Sequence, residues 1–272
     1  MTRPAGSDVV RLGPWSVAAL VASGVIGLVA FAWPLLVRPS SRIDASHEAP
    51  FLFGLLLLLV LAVLLAQVAE GGIDAKALAM LGVLSAVGAA LRPLGAGTAG
   101  LETVFFLLVL AGRVLGPGFG FVLGSTTLFT SALLTAGVGP WMPFQMFACA
   151  WVGLVAGLLP RARGWAEVVL LAAYGAVSAF AYGFLLNLSF WPFSLGGDTA
   201  LSFQPGAPLL DNLHRYVLFD AATSLGWDTG RALTNAVLIA VTGRALLATL
   251  RRAARRAAFD APVEFDRVRD VS

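Results

Sequence analysis

The sequence predicts an all-α fold, a polytopic helical membrane protein, and three observations carry that prediction. Residues 114–160, between Arg113 and Arg161, contain no charged side chain. Hydrophobic residues make up 58% of the 272 and charged residues 12%, with a mean hydropathy of +0.87, where a soluble domain carries about 25% charge. The apolar residues also come in solid blocks, whereas a membrane barrel would alternate apolar with polar positions. A helix crosses the hydrocarbon core with about 20 apolar residues, so 114–160 alone holds two crossings and a turn.

Taken in order, hydropathy gives eight spans: 15–37, 51–69, 76–91, 102–115, 118–136, 143–159, 166–190 and 217–248. Residues 12–37 are uncharged, exceed an ordinary signal-peptide core and show no small-residue cleavage site, so they read as a retained first span after a short terminus, 1–14. With 51–69 they form a pair of spans over 15–75. The third and fourth spans are short between flanking charges. Gly116-Pro117-Gly118 marks a tight hairpin between the fourth and fifth spans. Pro143 suits the first turn of the sixth, where its missing N–H is no loss. Trp191, Pro192, Pro205 and Pro208 break the chain between the seventh and eighth. That segment, 191–216, is too apolar for a freely solvated loop, so it reads either as a lid or as a stretch resting on lipid headgroups.

With eight spans both termini share a side. That side collects Arg3, Arg11, Lys76, Arg161, Arg163, Arg244, Arg251, Arg252, Arg255 and Arg256. The excess of Lys and Arg predicts that it is cytoplasmic in a multi-pass cell-membrane protein, with 249–272 a basic cytoplasmic tail. Segments 38–50, 92–101, 137–142 and 191–216 then face outward. The basic tail directly follows an apolar span, which reads as membrane orientation and not as a nucleic-acid surface.

Gly82, Ala86 and Ala90 recur every fourth residue on one face of the third span, and Gly112, Gly116, Gly120 and Gly124 form a second ladder echoed by Gly153 and Gly157. Small residues let helices approach closely in lipid. Each ladder suits internal packing or a face kept for a partner subunit. Gln145 lies one turn into the sixth span beside Trp141 and Phe144, where its amide requires either a backbone partner or a ligand. Arg92 and Glu102 flank one outer turn and could form an ion pair, as could Asp228 and Arg231, three apart in the eighth span. Asn187 lies near the outer end of the seventh.

His47 and His214 are far apart, Cys149 is the single cysteine, and no metal motif or phosphate loop with lysine appears. No metal, cofactor or enzymatic role is therefore expected, and an ATP-driven step would need another chain. A stand-alone secondary transporter or channel would want internal repeats and mid-membrane charge, and a lipid-processing membrane enzyme would want clustered acids or histidines at an interface. Asp198, Asp211 and Asp220 are too scattered for the latter.

Three stretches carry a family resemblance: Ala79-Met-Leu-Gly-Val-Leu-Ser-Ala86-Val-Gly-Ala-Ala90-Leu-Arg92, Ala111-Gly112-Arg113-Val-Leu-Gly116-Pro117-Gly118-Phe-Gly120, and Gly139-Pro140-Trp141-Met-Pro143-Phe144-Gln145-Met146. With them, residues 76–248 resemble the six-helix S component, the substrate-binding subunit of energy-coupling factor (ECF) vitamin transporters. The resemblance implies a six-helix core preceded by two additional transmembrane helices. It implies docking through Gly82, Ala86 and Ala90 on a T component that works with two ABC ATPase subunits. It also implies an outward substrate pocket drawn from Arg92, Glu102, Trp141, Phe144, Gln145, Asn187 and Trp191. Cobalamin is the substrate it suggests first, with a flavin, thiamine or biotin as alternatives. The Ala-, Arg- and Gly-rich, Lys-poor composition points to a high-GC bacterium such as an actinobacterium.

Overall fold

Helix boundaries in this protein fall where proline or glycine changes the backbone chemistry. A computed structural model describes residues 13–36, 75–95, 98–139, 141–195 and 199–256. The expected span 51–69, the segment 38–50 and residues 257–272 lie outside them. The described elements are helical: α1 (Pro14–Phe31), the short α2 (Trp33–Leu36), α3 (Ala75–Leu91) with a 3-10 turn Arg92–Gly95, α4 (Phe105–Leu115), α5 (Pro117–Leu134), α6 (Met142–Leu158), α7 (Trp165–Ser194) and α8 (Leu209–Arg256). Five stretches, in α1, α3, α5, α7 and α8, are long and apolar enough to cross a membrane, and α4 and α6 are shorter apolar helices.

Helix α4 is the hub. Phe105 to Gly112 are all buried, and α5, α6, α7 and α8 surround them. Eleven residues span only about 16 Å, roughly half the hydrocarbon thickness. Such a helix is stable at membrane depth because protein, not lipid, satisfies its ends.

The glycine ladder explains how the hub closes. Gly116 adopts φ +99°, a region open to glycine, and Pro117 then starts α5. A β-carbon on Gly112 or on Gly120 would overlap the carbonyl of Gly153, and one on Gly124 would overlap that of Cys149. Helices α4, α5 and α6 therefore meet backbone to backbone, where dispersion replaces the missing hydrophobic drive.

Helix α1 buries only the stripe Ser16, Leu20, Ser23, Gly27 and Phe31. Gly27 sits against the Trp151 and Phe147 rings, and Phe31 meets Phe144 at 5.2 Å and Trp151 at 5.4 Å between centroids. Trp33 Nε1 donates to Ser189 O at 3.0 Å. The N-terminal helix thus packs on α6 and α7. Helix α3 lies elsewhere, against α5, where Ser85 and Thr126 share a 2.7 Å hydrogen bond.

The fourth span, placed at 102–115, starts only at Phe105, and the seventh and eighth run longer than expected. The seventh span, placed at 166–190, runs from Trp165 to Ser194 and carries Pro192 in its last turn. The proline removes one ladder bond, from its own position to the Leu188 carbonyl a turn back, and the helix ends two residues later. The eighth, placed at 217–248, is a 48-residue helix, about 72 Å long. Both extensions leave the apolar window on which hydropathy relies.

At the α4 C-terminus a buried charge cluster ties the bundle. Glu167 accepts from Arg113 Nε at 2.9 Å and from Arg251 Nη2 at 2.6 Å. Arg113 Nη1 also donates to Leu159 O at 2.8 Å. Four helices converge there, through α4, the end of α6, α7 and α8.

Gly120→Val is expected to destabilise the purified subunit by about 1–3 kcal/mol through overpacking. Gly82→Val, with nothing within 4 Å of the new carbon, is expected to stay within about 0.5 kcal/mol. Thermal unfolding of both variants in detergent measures the difference.

Candidate functional site

At the other end of α4 the chain builds a second charge cluster, and this one opens into a cleft. The return from α3 to α4 is pinned by Thr103 Oγ1, which donates to Leu91 O at 2.6 Å. Gly100 adopts φ +77° and lies on the Trp227 carbonyl of α8, where a side chain would clash. The turn is thereby pressed onto α8, and Glu102 is brought to Arg231.

Arg231 organises the cluster. Its Nε bonds Glu102 Oε2 at 2.6 Å and its Nη1 bonds Asp228 Oδ1 at 2.5 Å. The guanidinium also lies 5.0 Å from the Tyr182 ring centre and 5.9 Å from that of Phe105, in the cation–π range. Asp228 fits against α7 because Gly183 has no side chain to exclude it. One cation with two carboxylates is a buried arrangement that holds only with such dense pairing.

Arg92, the first residue of the 3-10 turn, reaches across to α6 and donates from Nη2 to Gln145 Oε1 at 3.0 Å. The expected Arg92–Glu102 ion pair does not form, because each residue faces a different helix. The Asp228–Arg231 pair expected from the spacing does form. Arg92 Nε is buried with no hydrogen-bond partner, and so is Ser131 Oγ. Both residues line a cleft of about 280 Å³ together with Glu102, Thr135, Trp227 and Arg231. The cleft presents donors without acceptors at the Arg92 side and a compensated cation at the Arg231 side.

The other residues expected at a pocket divide. Gln145 joins through Arg92. Phe144 is buried beside it, against Phe31 and, at 5.6 Å, Phe190. Trp141 is 44% exposed at the start of α6, its indole closing over Gly139. Asn187 belongs to a separate group on α7 and α8, donating to Asp220 Oδ1 at 2.6 Å and to Ser224 Oγ. Trp191 is fully buried and donates to Leu201 O at 2.7 Å. It packs on Phe203 and Tyr216 at 5.4 and 5.3 Å, so it anchors the 199–208 loop and does not line this cleft. Asn212 completes the anchor, exchanging hydrogen bonds with the backbone of Gln204.

Ser131, Thr135 and Trp227 are site residues that sequence reasoning missed. Ser131 is a small hydroxyl inside an apolar helix, a common packing residue, and only the cleft distinguishes it. On the bundle surface, Gly82, Ala86 and Ala90 are all exposed among the described residues, and α1 packs on a different side. No group of His, Cys, Asp and Glu suited to a metal occurs among the described residues.

The class is thus a multi-pass helical membrane protein with a polar cleft at one end and, among the described residues, an exposed strip of small residues on one helix. Residues 76–248 match the family model for the substrate-specific component of ECF transporters, and the chain belongs to that family. No curated protein and no solved structure matches it significantly. Substrate-specific components are transport subunits and not enzymes, and membership implies docking with a T component and ATPases.

Arg231→Ala leaves two carboxylates facing each other in a buried site and is expected to cost about 3–5 kcal/mol. Adding Glu102→Gln and Asp228→Asn to the same chain removes both orphaned charges and is expected to recover much of that loss in a thermal unfolding series.

Proposed function

We propose that this subunit captures a vitamin-class small molecule in the Arg92–Arg231 cleft from outside the cell, with 76–248 as its substrate-binding core. The observation that carries the reading is the pair of buried unpartnered groups there, Arg92 Nε and Ser131 Oγ. A buried donor left unmade costs about 1–3 kcal/mol, and a ligand presenting acceptors removes that penalty on binding. The basic residues support the orientation: Arg113, Arg161, Arg163, Arg244, Arg251, Arg252 and Arg255 all lie at the end away from the cleft, as expected of a cytoplasmic face with both termini on that side.

Docking on the T component, which works with two ATPase subunits, is assigned to Gly82, Ala86 and Ala90. Their exposure, with open space around Gly82, supports this. Helix α1 buttresses the α6–α7 side, so it leaves that strip free. The actinobacterial origin suggested by composition stands as part of the same reading.

Cobalamin is carried as the first substrate to test. The cleft of about 280 Å³ falls below the roughly 300–1,000 Å³ of pockets that enclose drug-sized ligands. A corrinoid would have to part the 98–102 turn from α8, whereas thiamine or biotin needs less opening.

Native mass spectrometry of the subunit offered a mixture of cobalamin, riboflavin, thiamine and biotin names the ligand. Arg92→Gln is then expected to weaken its binding by about 10- to 100-fold, the loss of a charge-assisted hydrogen bond, while assembly with the T component persists. Unchanged affinity would remove Arg92 from the pocket. Ala86→Trp with Ala90→Trp is expected to abolish uptake and leave binding by the isolated subunit intact; equal loss of both would contradict the docking assignment.

A further inference from the structure

A second cleft, of about 470 Å³, lies at the opposite end of the bundle between the start of α7 and the last turns of α8. Its rim is basic, formed by Arg244, Arg251, Arg252 and Arg255. Its floor is apolar, with Val168 and Leu247 buried and Ala248 opening the space. Glu167 is the acid at this cleft, and it is already held by Arg113 and Arg251. Among the described residues the remaining guanidinium groups have no carboxylate partner: Arg252 Nη2 reaches Thr249 Oγ1 at 3.2 Å, and Arg244 lies 5.2 Å from the centre of the Trp165 ring. Tryptophan commonly marks the membrane–water boundary, and Trp165 is 61% exposed. The groove therefore runs from that boundary outward along α8, apolar beneath and cationic above.

We propose that this groove is a binding site for an anionic glycerophospholipid, its phosphate held by Arg252 and Arg255 and its acyl region resting on Val168 and Ala248. A free phosphate would use the rim and gain nothing from the floor, whereas a lipid uses both. Basic pockets between transmembrane helices recognise anionic headgroups by this chemistry. The register supports a site over a diffuse field: residues 244, 248, 251 and 255 recur on one face of α8, the face turned to α7, and Arg252, four after Ala248, lies at its edge. The neighbouring loop also carries exposed Arg161 and Arg163, which do not line the groove. They provide the internal control.

The full chain, delipidated in detergent, is offered phosphatidylglycerol, cardiolipin or phosphatidylcholine and read by native mass spectrometry. The anionic lipids are expected to be retained over phosphatidylcholine. Arg252→Gln with Arg255→Gln is expected to reduce that retention by roughly tenfold or more. Ala248→Trp, which fills the groove and leaves every charge in place, is expected to do the same, and Arg161→Gln with Arg163→Gln to leave it unchanged. Retention without headgroup preference, or equal loss from the two arginine pairs, would overturn the site. Displacement of the lipid by millimolar inorganic phosphate would overturn the lipid assignment in favour of a soluble anion. The substrate cleft lies at the other end of the bundle, so these outcomes are independent of ligand capture.

Discussion

A charge at membrane depth has to be compensated by protein, and α4 turns that constraint into the plan of the molecule. The helix has only 11 residues, about 16 Å, yet Glu102 lies just before it and Arg113 in its last turn. Across a hydrocarbon core of about 30 Å both cannot lie at the surface. Each is therefore built into a multi-helix cluster, Glu102 with Arg231 and Asp228, Arg113 with Glu167 and Arg251. The two clusters define the two ends of the bundle. In one the acid is saturated, Glu167 held by two arginines, and Arg113 also spends a donor on Leu159 O. The other is left incomplete at Arg92 and Ser131, and there the cleft forms.

Small residues serve two opposite purposes within this frame. In the α4–α5–α6 seam Gly112, Gly120 and Gly124 are committed, because the facing carbonyls of Gly153 and Cys149 leave no room for a side chain. On α3 the spacing is as regular, yet Gly82 meets nothing within 4 Å. Gly88, on the other side of the same helix, is filled by Thr127. Spacing alone cannot separate a seam from a free face; what lies opposite the missing β-carbon does. The N-terminal helix sharpens the distinction. It joins the bundle through Gly27 and Phe31 against α6 and α7, so it supports Phe144 without covering the strip on α3.

Much of the fold was legible in the sequence because desolvation leaves a coarse mark. The uncharged stretch 114–160, the Gly116-Pro117 hairpin and the start of α6 at Pro143 all follow from composition and backbone chemistry. The ends of α7 and α8 were not, because Pro192 and the run Asp211, Asn212, His214 and Arg215 resemble a loop in sequence, whereas both stretches are helical. In the site, Gln145 stood out as a lone amide in an apolar helix. Arg231 was recognised only as a local partner of Asp228. Its bond to Glu102 spans 129 positions, a distance at which spacing says nothing. Trp191 illustrates the converse: an aromatic in a loop-like segment suggests a ligand wall, whereas here its indole N–H is spent on Leu201 O and its ring on Tyr216.

The proposed capture from outside requires the incomplete cluster at the cell exterior and the arginine-lined cluster at the cytoplasm. Cys149 is buried and leaves a quiet background for thiol labelling. Val138, 53% exposed in the turn between α5 and α6, lies at the cleft end, and Arg163 is exposed in the loop between α6 and α7 at the opposite one. A membrane-impermeant maleimide applied to intact cells should label Val138→Cys at once and Arg163→Cys only after permeabilisation. The reverse pattern would turn the cleft to the cytoplasm and contradict capture from outside.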